Sequence, residues 1–255
     1  MLLALLGALA IGLSLGLLGS GGSILTVPVL HYLLGQPEKV AIAGSLLVVG
    51  VIASVAAIPY SRRRQVDWRN VAWFGIPGMA GAWLGATLAH FVPGKLQLAL
   101  FAAVMLAAGW RMLRGAGLER ADRVPNRFAI VAGGLGVGML SGLVGVGGGF
   151  LIVPALVLLA GVPMSSAVGT SLAVIAMNSY TGFAKHLGLL NSQGLELDFG
   201  VLLVVAALGV AGSFAGSRLG RRLPQAVLRR IFGVFLLAMA SFIVVDVAPE
   251  LFAGG

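Results

Sequence analysis

The sequence predicts an all-α polytopic membrane protein made of two inverted-topology repeats. Each repeat is a broken first helix and short helix pair followed by three transmembrane helices. Three observations carry this prediction. The 255-residue chain is 59% hydrophobic and only 10% charged, whereas a soluble domain is nearer half apolar and a quarter charged. Apolar runs of 18 or more residues recur along it, the length needed to span a bilayer. Two stretches, Gly16–Leu30 and Gly142–Leu156, carry the same pattern of clustered glycines followed by a proline, at Pro28 and Pro154.

The duplication extends beyond those stretches. Residues 16–46 align without a gap on 142–172, and fifteen of the 31 positions are identical, among them Pro37/Pro163 and Ser45/Ser171. Further on the offset grows from 126 to 131, pairing Asp67/Asp198, Gly78/Gly209, Gly81/Gly212, Gly85/Gly216, Pro93/Pro224 and Phe101/Phe232. The difference of five residues places an insertion near Lys185–Gly194. The chain therefore divides into a first transmembrane repeat over 1–115, a basic cytoplasmic linker over 116–127 and a second, inverted repeat over 128–255.

The elements follow in order. Leu2–Leu18 is apolar enough for a signal peptide but lacks a positive n-region and a small-residue cleavage site, so it reads as retained structure. After the first glycine break comes a short segment, Ser23–Leu34, then helices over Val40–Tyr60, Asn70–His90 and Lys95–Leu113. The second half repeats this as Phe128–Leu143, Phe150–Ala160, Ser165–Leu187, Phe199–Leu219 and Gln225–Val247. The short segments hold about a dozen residues, roughly 18 Å of helix, against a hydrocarbon core of about 30 Å. Each therefore returns with its preceding helix to one side of the membrane, or meets its copy near the middle. The spaced pairs Gly81/Gly85 and Gly212/Gly216 read as faces where helices pack closely.

Arginine placement sets the orientation. All fourteen arginines lie in three connections, Arg62–Arg69, Arg111–Arg127 and Arg218–Arg230, which the positive-inside rule assigns to the cytoplasm. Both termini and the 188–198 loop then fall on the outer side. Val40–Tyr60 runs inward and its copy Ser165–Leu187 runs outward, so the repeats are antiparallel in the membrane. The net charge of +9 is spent on these flanks, which excludes a nucleic-acid-binding face.

The glycine breaks are the candidate site. Backbone that leaves the helix within lipid needs protein, water or ligand as its partner. Interrupted segments at matching positions in two halves mark the binding site of a secondary transporter. The candidate substrate-binding residues are Gly19, Ser20, Gly21, Gly22 and Ser23 at the first break, and Gly145, Gly147, Gly148 and Gly149 at the second. Ser45, Thr170 and Ser171 add hydroxyls and Asn178 an amide. The short helices begin near Ser23 and Gly149 and point their N-termini, with exposed amides and the positive dipole end, at an anion. The competing reading is that these glycines only allow close packing while the hydroxyls bond back to their own helices. His31, His90 and the Lys185–His186 pair sit near segment ends, as snorkelling interfacial residues do.

The paired Gly-x-x-Gly-x-Gly-Gly-(Gly/Ser)…Pro blocks and Ala167-Val-Gly-Thr-Ser-Leu172 resemble the sulfite exporter TauE/SafE family of membrane permeases, over nearly the whole chain. The resemblance implies transport of sulfite, sulfonates or related small sulfur-containing or organic anions across the cytoplasmic membrane. Half one departs from the second block by reading Ala43-Gly-Ser-Leu46, without threonine.

The expected function is a secondary transporter for such an anion, working by alternating access around the breaks. An anion channel with a fixed pore through the same breaks is the alternative. None of the eight acidic residues lies mid-segment, which removes the usual proton relay. An inside-negative potential favours anion export by about 2.3 kcal/mol per charge per 100 mV. No nucleophile–base pair, acidic dyad or metal cluster is legible, and with no cysteine there is no thiolate chemistry. The protein is therefore not expected to be an enzyme, to bind a metal or to carry a cofactor. Its partners are the small anion and the lipid bilayer, and a homo-oligomer is left open.

Overall fold

The computed structural model describes residues 2–18, 22–114, 126–145, 147–220, 230, 233–234 and 237–245. Every described element is helical, as lipid demands of backbone that must bond to itself. The first half comprises α1 (Leu2–Leu18), α2 (Ser23–Leu33), α3 (Glu38–Arg62), α4 (Trp68–Leu88) and α5 (Gly94–Arg114). The second comprises α6 (Arg127–Val144), α7 (Gly149–Ala160), α8 (Met164–Ser192) and α9 (Phe199–Gly220), with further helix at 237–245. Among the described helices α3, α4, α6 and α9 are long and apolar enough to cross a membrane. The rest of the expected Gln225–Val247 helix and most of the 116–127 linker lie outside the described residues.

The sequence copies recur as copied local geometry. Asp67 caps α4 by accepting from the Asn70 amide at 3.1 Å, and Asp198 does the same for Val201 at 3.0 Å. The short helices end alike. Gly35 and Gly161 adopt left-handed φ of 65° and 62°. The next amides, Gln36 and Val162, then bond back to Leu30 and Leu156, each at 3.1 Å. This is the closure that satisfies the last carbonyls of a helix. Pro37 and Pro163 follow in extended backbone as N-caps of α3 and α8. Two π turns, Val29–Leu33 after Pro28 and Val71–Gly75 before Pro77, widen the helix where a proline removes a backbone donor.

One expectation fails in its length. The insertion near Lys185–Gly194 does not form a loop over 188–198. It extends α8 to Ser192, making a 29-residue helix, and leaves only 193–198 as the connection. Nothing between Lys185 and Ser192 breaks a helix; Gly194, at φ +65°, does.

Packing follows the small residues. In the centre α3 and α8 lie antiparallel: Leu46 meets Gly182, the Tyr180 ring covers Gly50 and Tyr60 covers Gly169, where an added Cβ would stand 3.1 Å from the Tyr180 ring and 2.8 Å from Tyr60 Cβ. Val49, Ile52, Val174 and Ile175 are buried along this pair. Outside it, each half's first helix packs parallel to the other half's fourth. Gly138 and Gly142 of α6 abut the carbonyls of Gly78 and Ala82 on α4, while Gly12 and Gly16 of α1 abut those of Gly209 and Ser213 on α9. The expected packing glycines complete the same seams, Gly81 and Gly85 against α6 and Gly212 and Gly216 against α1. A Cβ at any of these positions would strike backbone, so only glycine permits the approach.

Candidate functional site

The second break is a tight reversal built on left-handed glycines. Helix α6 ends at Gly145 (φ +78°), whose amide bonds to Ser141 O at 2.9 Å; Gly147 (φ +68°) and Gly148 (φ +69°) then lead into α7. Left-handed backbone costs an L residue about 1–2 kcal/mol, and glycine escapes that cost. Gly148 caps α7 without a side chain, and its carbonyl accepts from Leu151 and Ile152 at 3.1 Å. The amides ahead of them, at Gly149 and Phe150, begin the helix and have no acceptor within it.

Buried hydroxyls flank this turn. Ser179 of α8 lies against Gly147, its Oγ 2.6 Å from where a Cβ would stand, beside Val49 and Ile175. Ser141 of α6 lies against Gly148 and lines a cavity of ≈ 10 Å³ with Phe101, Val144 and Leu151, about the room one water needs. Asn178, next to Ser179, faces Gly78 of α4. The hydroxyl oxygens of Ser141 and Ser179 and both amide atoms of Asn178 are buried without a hydrogen-bond partner in the protein. Each such atom costs about 1–3 kcal/mol unless something polar reaches it. Two other groups hold the α6 end. The Ser45 hydroxyl donates to the carbonyls of Ile42, at 2.7 Å, and Gly145. His186 donates from Nε2 to Gly142 O at 2.7 Å.

The predicted residues thus divide. Gly145, Gly147, Gly148, Gly149 and Ser45 gather around the second break, while Asn178 faces Gly78 of α4. Gly19, Ser20 and Gly21 lie outside the described residues. Gly22 is buried against the α1 backbone with helical φ of −70°, unlike its copy Gly148, and Ser23 opens α2. Thr170 lies elsewhere. It donates to Ser166 O at 2.7 Å and accepts from the Asp67 amide at 2.9 Å, joining α8 to the start of α4. Nine residues from Ser179, it stands roughly 13 Å away along the helix. Ser171 donates back to Val168 O at 2.8 Å. His186 also departs from its interfacial reading. Because α8 runs on to Ser192, its ring is buried, 4% exposed.

Ser141 and Ser179 carry a signal that identity between halves does not reveal. Their copies are Leu15 and Ala53, and the copy of Asn178 is Ile52, all fully buried. Polarity present in one copy and absent from the other marks them.

Among the described residues, the side chains nearest the three left-handed glycines of this turn are uncharged. Glu38, Asp67, Glu196 and Asp198 stand at helix starts and connections, and Lys185 stacks over Trp83 at 5.0 Å. Among the described residues no group of His, Cys, Asp and Glu could hold a metal. The turn offers amides and hydroxyls, groups able to act by hydrogen bonding and helix dipole.

The family model described as sulfite exporter TauE/SafE matches residues 3–243. The chain is similar to a probable membrane transporter protein of Xylella fastidiosa (strain Temecula1), 34% identical over 92% of this chain and 91% of the relative. It is also similar to one from Methanocaldococcus jannaschii, 26% identical over 91% and 92%, and to YunE of Bacillus subtilis, 30% identical over 73% and 77%. No solved structure matches. A family match over nearly its whole length, on an all-helical fold with membrane-length apolar helices, means that this chain belongs to the sulfite exporter TauE/SafE family of membrane transporters.

Proposed function

We propose that the protein is a secondary carrier for a small anion, a sulfite, sulfonate or related sulfur-containing or organic anion, which it binds at the glycine breaks. One observation carries this reading: the N-terminus of α7 opens from a run of left-handed glycines onto buried hydroxyls that lack partners. A helix N-terminus in that setting attracts negative charge, and the family description supplies the sulfur chemistry.

The two halves are proposed to face opposite ways in the cell membrane, with the arginine-rich connections in the cytoplasm and both termini outside. The antiparallel α3–α8 pair and the matched α1–α9 and α4–α6 seams support this. Alternating access then rocks one set of helices against the other around the break, and the membrane potential favours export. Anion flux is measured in proteoliposomes at clamped potential, with and without proton and sodium gradients. Flux is expected to follow the potential alone and to vanish in Gly147→Leu, a variant that still inserts. Full transport by Gly147→Leu refutes the site, and unitary currents far above carrier turnover replace the carrier with a channel.

A further inference from the structure

We infer that the second break selects a singly charged oxyanion and rejects a dianion of the same shape. This rests on the reading of that break as the anion site, and deepens it.

The argument starts from what surrounds the 147–148 peptide. Ser141, 1% exposed, approaches it from α6, and Ser179, fully buried, from α8. Neither hydroxyl has a partner. They flank the start of a twelve-residue helix whose first amides are unclaimed within it. Asn178, fully buried and unpartnered at both Nδ2 and Oδ1, stands beside Ser179.

Two features limit the charge this set can hold. Among the described residues, the side chains nearest Gly145, Gly147 and Gly148 are neutral, so the fixed compensation beside them is the helix end, worth about half an elementary charge. The cost of taking an ion out of water grows steeply with its charge, and buried charge is tolerated only where it is matched. A monoanion leaves about half a charge uncovered and a dianion about one and a half. The site is also one-sided, because the copies of these residues in the first half are Leu15, Ile52 and Ala53. Hydroxyl and carboxamide groups accept as well as donate. A ligand that keeps an O–H, as a half-ionised oxyacid does, can therefore also donate to these hydroxyls, which a bare dianion cannot.

Methanesulfonate and sulfate separate the cases, since both are tetrahedral and carry fixed charges of one and two. Equilibrium binding of each, as potassium salts, is measured on the full chain in nanodiscs, with sodium chloride as a third arm. Methanesulfonate is expected to bind, and sulfate at least about tenfold more weakly. Ser141→Ala and Ser179→Ala should each weaken methanesulfonate by about tenfold to a hundredfold, as expected for a donor lost to a charged group. The unliganded melting point of each variant reports folding independently. Sulfate binding as tightly as methanesulfonate overturns the charge selection and leaves the anion site standing. Binding of neither anion, binding untouched by both serine variants, or binding of sodium alone overturns the site itself.

Discussion

Replacing Gly147 by alanine tests whether the second break is as tight as its geometry requires. The position is left-handed (φ +68°), and a Cβ there would lie 2.6 Å from Ser179 Oγ and 3.0 Å from Val49 Cγ1. Left-handed strain contributes about 1–2 kcal/mol, and crowding in a packed interior about 1–3 kcal/mol. Two other glycines separate these terms. Gly194 shares the left-handed φ but has nothing within 4 Å, so Gly194→Ala feels strain alone; Gly136, with nothing within 4 Å and helical backbone, feels neither. The expected order of thermal stability in detergent is Gly136→Ala at or above wild type, Gly194→Ala lower, and Gly147→Ala lowest, by on the order of 10 °C. Gly147→Ala combined with Ser179→Ala removes the crowding oxygen and should recover about 1–2 kcal/mol, leaving strain and the lesser contact with Val49. If Gly147→Ala melts together with Gly194→Ala, or the second substitution recovers nothing, then Ser179 does not press on the break and the reasoning fails.

The remaining expectations concern its supports. His186→Ala leaves the buried Gly142 carbonyl unpaired and should cost about 1–3 kcal/mol, while His186→Gln, which can still donate, should restore most of it; equal melting points for the two would refute this role. Ser45→Ala removes the hydroxyl that reaches Gly145 O from α3. It should cost about 1 kcal/mol and reduce flux further than that loss explains, read as initial rates in proteoliposomes at matched protein levels. Asp67→Ala and Asp198→Ala should each cost about 1 kcal/mol in thermal unfolding. The first should cost more, since Asp67 also accepts from Asn70 Nδ2 at 2.8 Å.

Much of this architecture was legible because membrane helices announce themselves by length and because the chain repeats itself. Prolines and glycines at fixed offsets located the second break and both short helices to within a residue or two. The extension of α8 was not legible: Asn191, Ser192 and Gln193 read as part of a polar loop over 188–198, yet the helix runs on to Ser192 and the residue that stops it is Gly194. Ser141 and Ser179 escaped for a related reason. A search for matched residues passes over a serine whose copy is Leu15 or Ala53, although that mismatch distinguishes one half from the other. Thr170 offers a hydroxyl in sequence, but it stands nine residues from Ser179 along α8 and bonds the start of α4 instead. The seams α1–α9 and α4–α6 are tertiary: glycine spacing shows that some helix will come close, without saying which.

Those seams bear on how the molecule is made. Gly12 meets Gly209, so α1 leaves the ribosome almost two hundred residues ahead of the helix that covers its bare glycine face. Until synthesis reaches α9, that face is exposed to lipid or to an insertion chaperone, and α4 waits in the same way for α6. Neither half covers its own glycine seam. Split between the halves and co-expressed, the fragments should reassemble, while either one alone should be degraded.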